Sequence, residues 1–136
     1  MIKLKFQRES GTIIKLVYCV RRREDISQQA FHDYWLNTHG PKVRSVANEI
    51  HALRYVQSHR TDSQTNDALR AGRNMSEPYD GITEVWFRDE AHMNQATGTQ
   101  EGRAAGAFLV EDEARFIDME KSCLFVTQEH EIFDVS

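Results

Sequence analysis

His39 is placed by its neighbours to move a proton. Phe31, Tyr34, Trp35 and Thr38 fall at i, i+3, i+4 and i+7 of one helical face, and His39, four residues after Trp35, shares it. Gly40 suits the left-handed conformation that closes a helix, and Pro41 does not continue one. The helix is therefore expected to run to about His39, with the imidazole freed from the packed layer, and Pro41 can start a short continuation through Val43 and Val46, since proline is tolerated in a first turn. Histidine exchanges protons near neutrality, which makes His39 a candidate general acid or base. The competing reading is a helix cap, the ring bonding a terminal carbonyl and favouring the helix dipole.

Glu84 is the second candidate catalytic group. Strand alternation puts it on one face with Ile82 and Trp86, where desolvation would favour the neutral carboxyl. It would serve as an acid or fix a histidine tautomer; the alternative is a cross-strand ion pair with an arginine. Trp35, His51, Tyr55 and Trp86 are the candidate substrate-binding residues. His51 and Tyr55 share a parity on the second expected strand, although His51 also reads as an exposed strand start.

No metal or cofactor is expected. The histidines at 32, 39, 51, 59, 92 and 130 form no H-x3-H or similar ligand pair. Along an extended strand His51 and His59 would stand ~26 Å apart. Gly98, Gly102 and Gly106 have helix-packing spacing rather than that of a phosphate loop. Cys19 and Cys123 read as reduced strand thiols.

The elements that must position these groups follow in order. Residues 1–12 read as an N-terminal extension, an edge strand or a flexible arm, before a domain over 13–136. Residues 13–20 are β-branched and apolar, an interior strand. Ser27 caps the first helix, with Ile26 and Phe31 as a hydrophobic staple. Residues 51–58 form a second strand, with His51, Leu53, Tyr55 and Gln57 on one face. Residues 61–79 are polar and mainly loop, long enough to be a lid or a partner contact. A third strand over 82–87 follows Asp80-Gly81. A second helical region starts near Asp89, is interrupted at Gly98 and resumes after Thr99; a last strand covers 121–130. This βαββαβ order makes a two-layer α+β sandwich with both helices on one sheet face. The bare face, apolar in places, calls for a second copy of the chain.

Bulk properties set the outer limits. A chain of 136 residues is about one domain. With 28% charged and 40% hydrophobic residues it is an ordinary soluble composition. A net charge of -4 argues against nucleic acid, and the triple arginine at 21–23 reads as a solvated turn beside Glu24 and Asp25. No apolar run spans a membrane or forms a signal peptide, so a cytoplasmic protein is expected.

The sequence also resembles the EthD family. The resemblance rests on residues 15–20 followed by Phe31-x2-Tyr34-Trp35-x3-His39-Gly40-Pro41, on Tyr79-Asp80-Gly81 before Glu84-x-Trp86-Phe87, on Glu101-Gly102-Arg103-Ala104-Ala105, and on Phe125-Val126-Thr127-x-Glu129-His130. It implies a ferredoxin-like fold assembled as a dimeric α+β barrel, with His39 part of the motif. Family members and relatives include dehydratase-like, cyclase-like, isomerase-like and unassigned proteins, and association with an oxidative degradation pathway attaches an oxidoreductase label. The expectation is a cofactor-independent proton-transfer enzyme, of lyase or isomerase type, acting on a small apolar carbonyl or aromatic metabolite. The alternative is a non-catalytic ligand-binding or accessory protein.

Overall fold

Strand β1 (Ile14–Val20) is long enough to cross the sheet once and carries the β-branched residues that favour it. Helix α1 (Gln28–Tyr34) follows, its cap made by Ser27 Oγ, which accepts from the Ala30 amide at 3.0 Å. The helix passes through a π-helical turn, Trp35–His39, straight into α2 (Gly40–Ser45). Then come β2 (Arg54–His59), α3 (Gln64–Ala71), β3 (Gly81–Phe87), α4 (Glu90–Gln95), α5 (Gln100–Glu113) and β4 (Cys123–Thr127). Asp89 and Thr99 cap α4 and α5, with a 3-10 turn at Ala96–Gly98 between them, as the sequence predicts. The computed structural model describes residues 12–136. All of the expected extension except Thr12 lies outside the described residues.

The strands form one antiparallel sheet in the order β2-β3-β1-β4. This is the ferredoxin-like α+β arrangement, with α3 inserted between the second and third strands. Alternation splits the sheet into two faces. Tyr18 and Val20 of β1 pack with Phe31, Trp35, Phe116 and Ile117 on the helix side. Ile14, Val85 and Phe87 form a second cluster there, with Met93 of α4. Phe31 and Trp35 are almost wholly buried, so truncating Phe31 to alanine is expected to cost about 3–5 kcal/mol. Gly81 lets Trp35 lie against the sheet: a Cβ there would stand 2.5 Å from both the indole ring and the Ser58 carbonyl. The opposite face carries Lys15, Val17, Cys19, Ile82, Glu84, Trp86 and Phe125, and among the described residues no helix packs across it. Among the described residues, no helix is long and apolar enough to cross a membrane.

Three expectations change. The helix is not closed at His39, because Gly40 is right-handed helical (φ -53°, ψ -52°), whereas Pro41 sits in the first turn of α2, the short continuation that the sequence allows. A proline ring in a regular α-helix clashes with the carbonyl four residues back and leaves a hydrogen bond unmade. The wider π-turn gives that ring room, and the Gly40 amide reaches back five residues to the Trp35 carbonyl. Strand β2 begins at Arg54 rather than at 51. His51 is left-handed (φ 63°) and belongs to the turn after α2, closed by Ala52 N–H donating to the Ala47 carbonyl at 3.0 Å. Finally, the polar stretch 61–79 contains the full helix α3, capped by Ser63 Oγ on the Thr65 amide.

Candidate active site

His39 points between α2 and α5 rather than into a cleft. Its Nδ1 lies 2.7 Å from Asp112 Oδ2, and only 4% of the residue is exposed. Asp112 is fully buried and is reached also by Tyr34 Oη (2.5 Å), Lys42 Nζ (2.7 Å) and Arg115 Nη1 (2.9 Å). Burial opposes ionisation of this carboxyl, but the donors, led by Lys42, Tyr34 and His39, overcome it and hold its pKa well below the usual carboxylate range. An ionised Asp112 only accepts, so His39 carries its proton on Nδ1 and leaves Nε2 as the lone pair. Burial lowers the His39 pKa against the pull of Asp112, so the ring is neutral near pH 7. The cluster ties α1 and α2 to α5.

Glu84 and Trp86 share a face as expected, but it is the face away from the helices. The structure therefore does not bring Glu84 together with His39. Glu84 ion-pairs with Lys15 (2.6 Å) rather than with an arginine. Trp86 Nε1 donates to Glu129 Oε1 at 2.7 Å, and the Arg54 guanidinium lies 4.5 Å over its ring. His51, being off the strand, shares no strand face with Tyr55; its ring stacks on His92 at 4.1 Å and its Nδ1 meets the His92 carbonyl. Trp35 is core rather than a ligand platform. Tyr55 is on the helix face and lines a cleft of about 430 Å³ with Leu36, Pro41 and Arg44.

A second polar chain was not anticipated. His32 on α1 and His59 on β2 meet Nδ1 to Nδ1 at 2.8 Å, and His59 Nε2 lies 2.7 Å from Gln57 Oε1. Gln57 Nε2 donates to the Trp35 carbonyl (2.8 Å) and to Tyr55 Oη (2.9 Å). A carbonyl only accepts, so the amide orientation is fixed and Gln57 presents its oxygen to His59. His59 thus carries a proton on Nε2, accepts at Nδ1, and His32 must donate from its own Nδ1. His32 Nε2 is left as a buried lone pair with no hydrogen-bond partner among the described residues. Burial lowers the pKa of both rings, and His32 adds to the effect on His59. The His59 ring stacks on Trp35 at 4.2 Å, and the residue is one of those lining a cleft of about 680 Å³ between the sheet edge and α3.

Glu113 is also poised: burial pushes its carboxyl up to about 7, against the Tyr18 hydroxyl at 3.4 Å. Signals for these groups exist in the sequence. Asp112 falls on the apolar stripe of Ala105, Leu109 and Phe116, and a carboxylate on such a stripe needs partners. His59 shares the parity of Tyr55 and Gln57, and His32 is one turn from Trp35.

A search of curated proteins finds no match to this chain. Among solved structures, an EthD family protein from Bacillus halodurans is 22% identical, with a TM-score of 0.58 over 87% of this chain and 99% of its own. A dimeric protein of unknown function with a ferredoxin-like fold from Bacteroides fragilis is 10% identical (TM-score 0.54, 86% and 96% covered). SnoaB, a cofactor-independent oxygenase from Streptomyces nogalater, is 7% identical (TM-score 0.53, 89% and 96% covered). At these identities the likeness concerns the fold. The EthD domain matches residues 23–120, more than half of the chain, from before α1 to just before β4, and the chain belongs to the EthD domain family.

Proposed function

We propose that this chain is a cofactor-independent proton-transfer enzyme for a small, largely apolar carbonyl compound, with the His32–His59 pair as its base. The observation that carries this is the Nδ1–Nδ1 contact of 2.8 Å between His59, a residue of the larger cleft, and His32, whose buried Nε2 is left as an unspent lone pair. A proton taken up by the pair is shared across that hydrogen bond, with Gln57 holding the far nitrogen of His59. Neutral rings near pH 7 are ready to accept it, and dehydration, cyclisation or isomerisation needs no further equipment. Part of the same proposal is a homodimer in a reducing, cytoplasmic environment. The uncovered sheet face, with Phe125 50% exposed, would meet a second copy.

A second reading keeps His39 as the base, favoured by its Nδ1 contact with Asp112 at 2.7 Å, the arrangement that orients a catalytic imidazole. The test is hydrogen–deuterium exchange beside the carbonyl of 1-tetralone and 3-benzoylpropionate in D2O, followed by NMR. Wild type is expected to accelerate exchange, and His59→Gln to remove about 10² to 10⁴ of that acceleration with the fold intact. If His39→Gln abolishes exchange while His59→Gln does not, the second reading stands. No exchange with wild type would leave a ligand-binding protein.

A further inference from the structure

The larger cleft has a lining that narrows what it takes. Its apolar wall is built from Leu69, Met75, Pro78, Tyr79 and Ile82. Leu69 and Met75 are 51% and 63% exposed, so α3 and the residues after it present apolar side chains at the surface of this cleft. Among the described residues, the charged side chains lining it are those of Arg60, Arg70 and Arg73, and no carboxylate lines it. In a chain of net charge -4 this is a local reversal of sign.

The three arginines are not equally free. Arg60 Nη2 pairs with Asp80 at 3.3 Å and its Nε donates to the Tyr79 carbonyl at 3.0 Å. Arg70 pairs with Glu77 at 2.5 Å, behind the cleft lining. Arg73 bonds only the Leu69 carbonyl, at 3.3 Å, and forms no ion pair among the described residues. A planar guanidinium with spare donors beside an apolar wall matches one carboxylate on an apolar body.

We infer that this cleft binds a small apolar acid, aromatic or alicyclic, with its carboxylate on Arg73 and Arg70 and its body against Leu69, Met75 and Ile82, beside the β2 edge at Ser58 and His59. The inference rests on the reading of this cleft as the substrate site and names the substrate class as a carboxylate. It does not depend on the proton transfer.

Calorimetric titration of the full chain with 3-benzoylpropionate and with 3-benzoylpropionamide tests it, because the two differ only in charge at one end. Wild type is expected to bind the acid at least about tenfold tighter than the amide, a preference that weakens as salt screens the exposed guanidinium. Arg73→Gln is expected to bring the two affinities within about threefold by weakening the acid alone. Arg103→Gln, on the outer surface of α5, is expected to leave both unchanged. Equal affinities for acid and amide in wild type, binding of neither, or an acid preference that survives in both Arg70→Gln and Arg73→Gln overturns the inference. A wild type that prefers the acid but catalyses no exchange upholds the site and removes only the proton-transfer reading.

Discussion

Asp112→Ala is the substitution with the largest expected effect outside the aromatic core. It removes the acceptor shared by Tyr34, His39, Lys42 and Arg115. Lys42 and Arg115 reach solvent and rehydrate, but His39 Nδ1–H is left buried, and the Tyr34 hydroxyl partly so. Two stranded donors at about 1–3 kcal/mol each give a cost of about 2–6 kcal/mol. At ~2.1 cal/mol/K per residue, 136 residues unfold with an entropy of about 0.3 kcal/mol/K, so the midpoint should fall by about 7–20 °C. Urea unfolding followed by the fluorescence of buried Trp35 measures the free energy directly. Acid supplies a second readout. The Asp112 pKa is depressed in the folded chain, so its contribution is present above the unfolded value of about 3.9 and is lost as pH falls toward the folded one. Wild type is therefore expected to lose stability steeply below about pH 4, and Asp112→Ala to lose less over that range. A cost below about 1 kcal/mol, with equal acid slopes, would mean the cluster behaves as a solvated surface pair and the reasoning fails.

Other outcomes follow from the same structure. His32, His39 and His59 all have lowered pKa values, with burial the main cause, so the unfolded chain binds more protons near pH 6. Stability should be full above about pH 6.5 and decline as pH drops through the depressed values, and His59→Gln should flatten part of that decline in urea titrations. Light scattering is expected to give twice 15.8 kDa; a stable monomer of that mass would remove the barrel assembly. Cys19 and Cys123 face each other across β1 and β4, and thiol titration of the unfolded, unreduced protein is expected to find both free.

Local rules carried the reading of the elements. Ser27, Asp89 and Thr99 are caps by residue type alone, and the β3 alternation of Ile82, Glu84 and Trp86 follows from its apolar spacing. Alternation gives parity, however, not which side meets the helices. That is why Glu84 was paired with His39 although the sheet lies between their environments. Gly40-Pro41 was ambiguous for a related reason: the pair serves equally as a stop or as the first turn of a new helix. The partner of His39 stands 73 residues away, and nothing local to either residue announces the contact. His51 missed its strand because a single left-handed residue ends the two-residue period.

The wide turn at Trp35–His39 amounts to one surplus residue threaded into a helix. The wide turn spreads that residue over about the rotation an ordinary helical turn makes, so the residues after it keep their angular phase. Removing one residue between 35 and 39 would rewind the segment as ordinary α-helix with Lys42 still within reach of Asp112 and Val43 still in its buried layer. What would go is the room for the Pro41 ring, which would then press on the carbonyl four residues back. Losing Leu36 or Asn37, both on the outer side, is therefore expected to be tolerated better when Pro41→Ala accompanies it than alone.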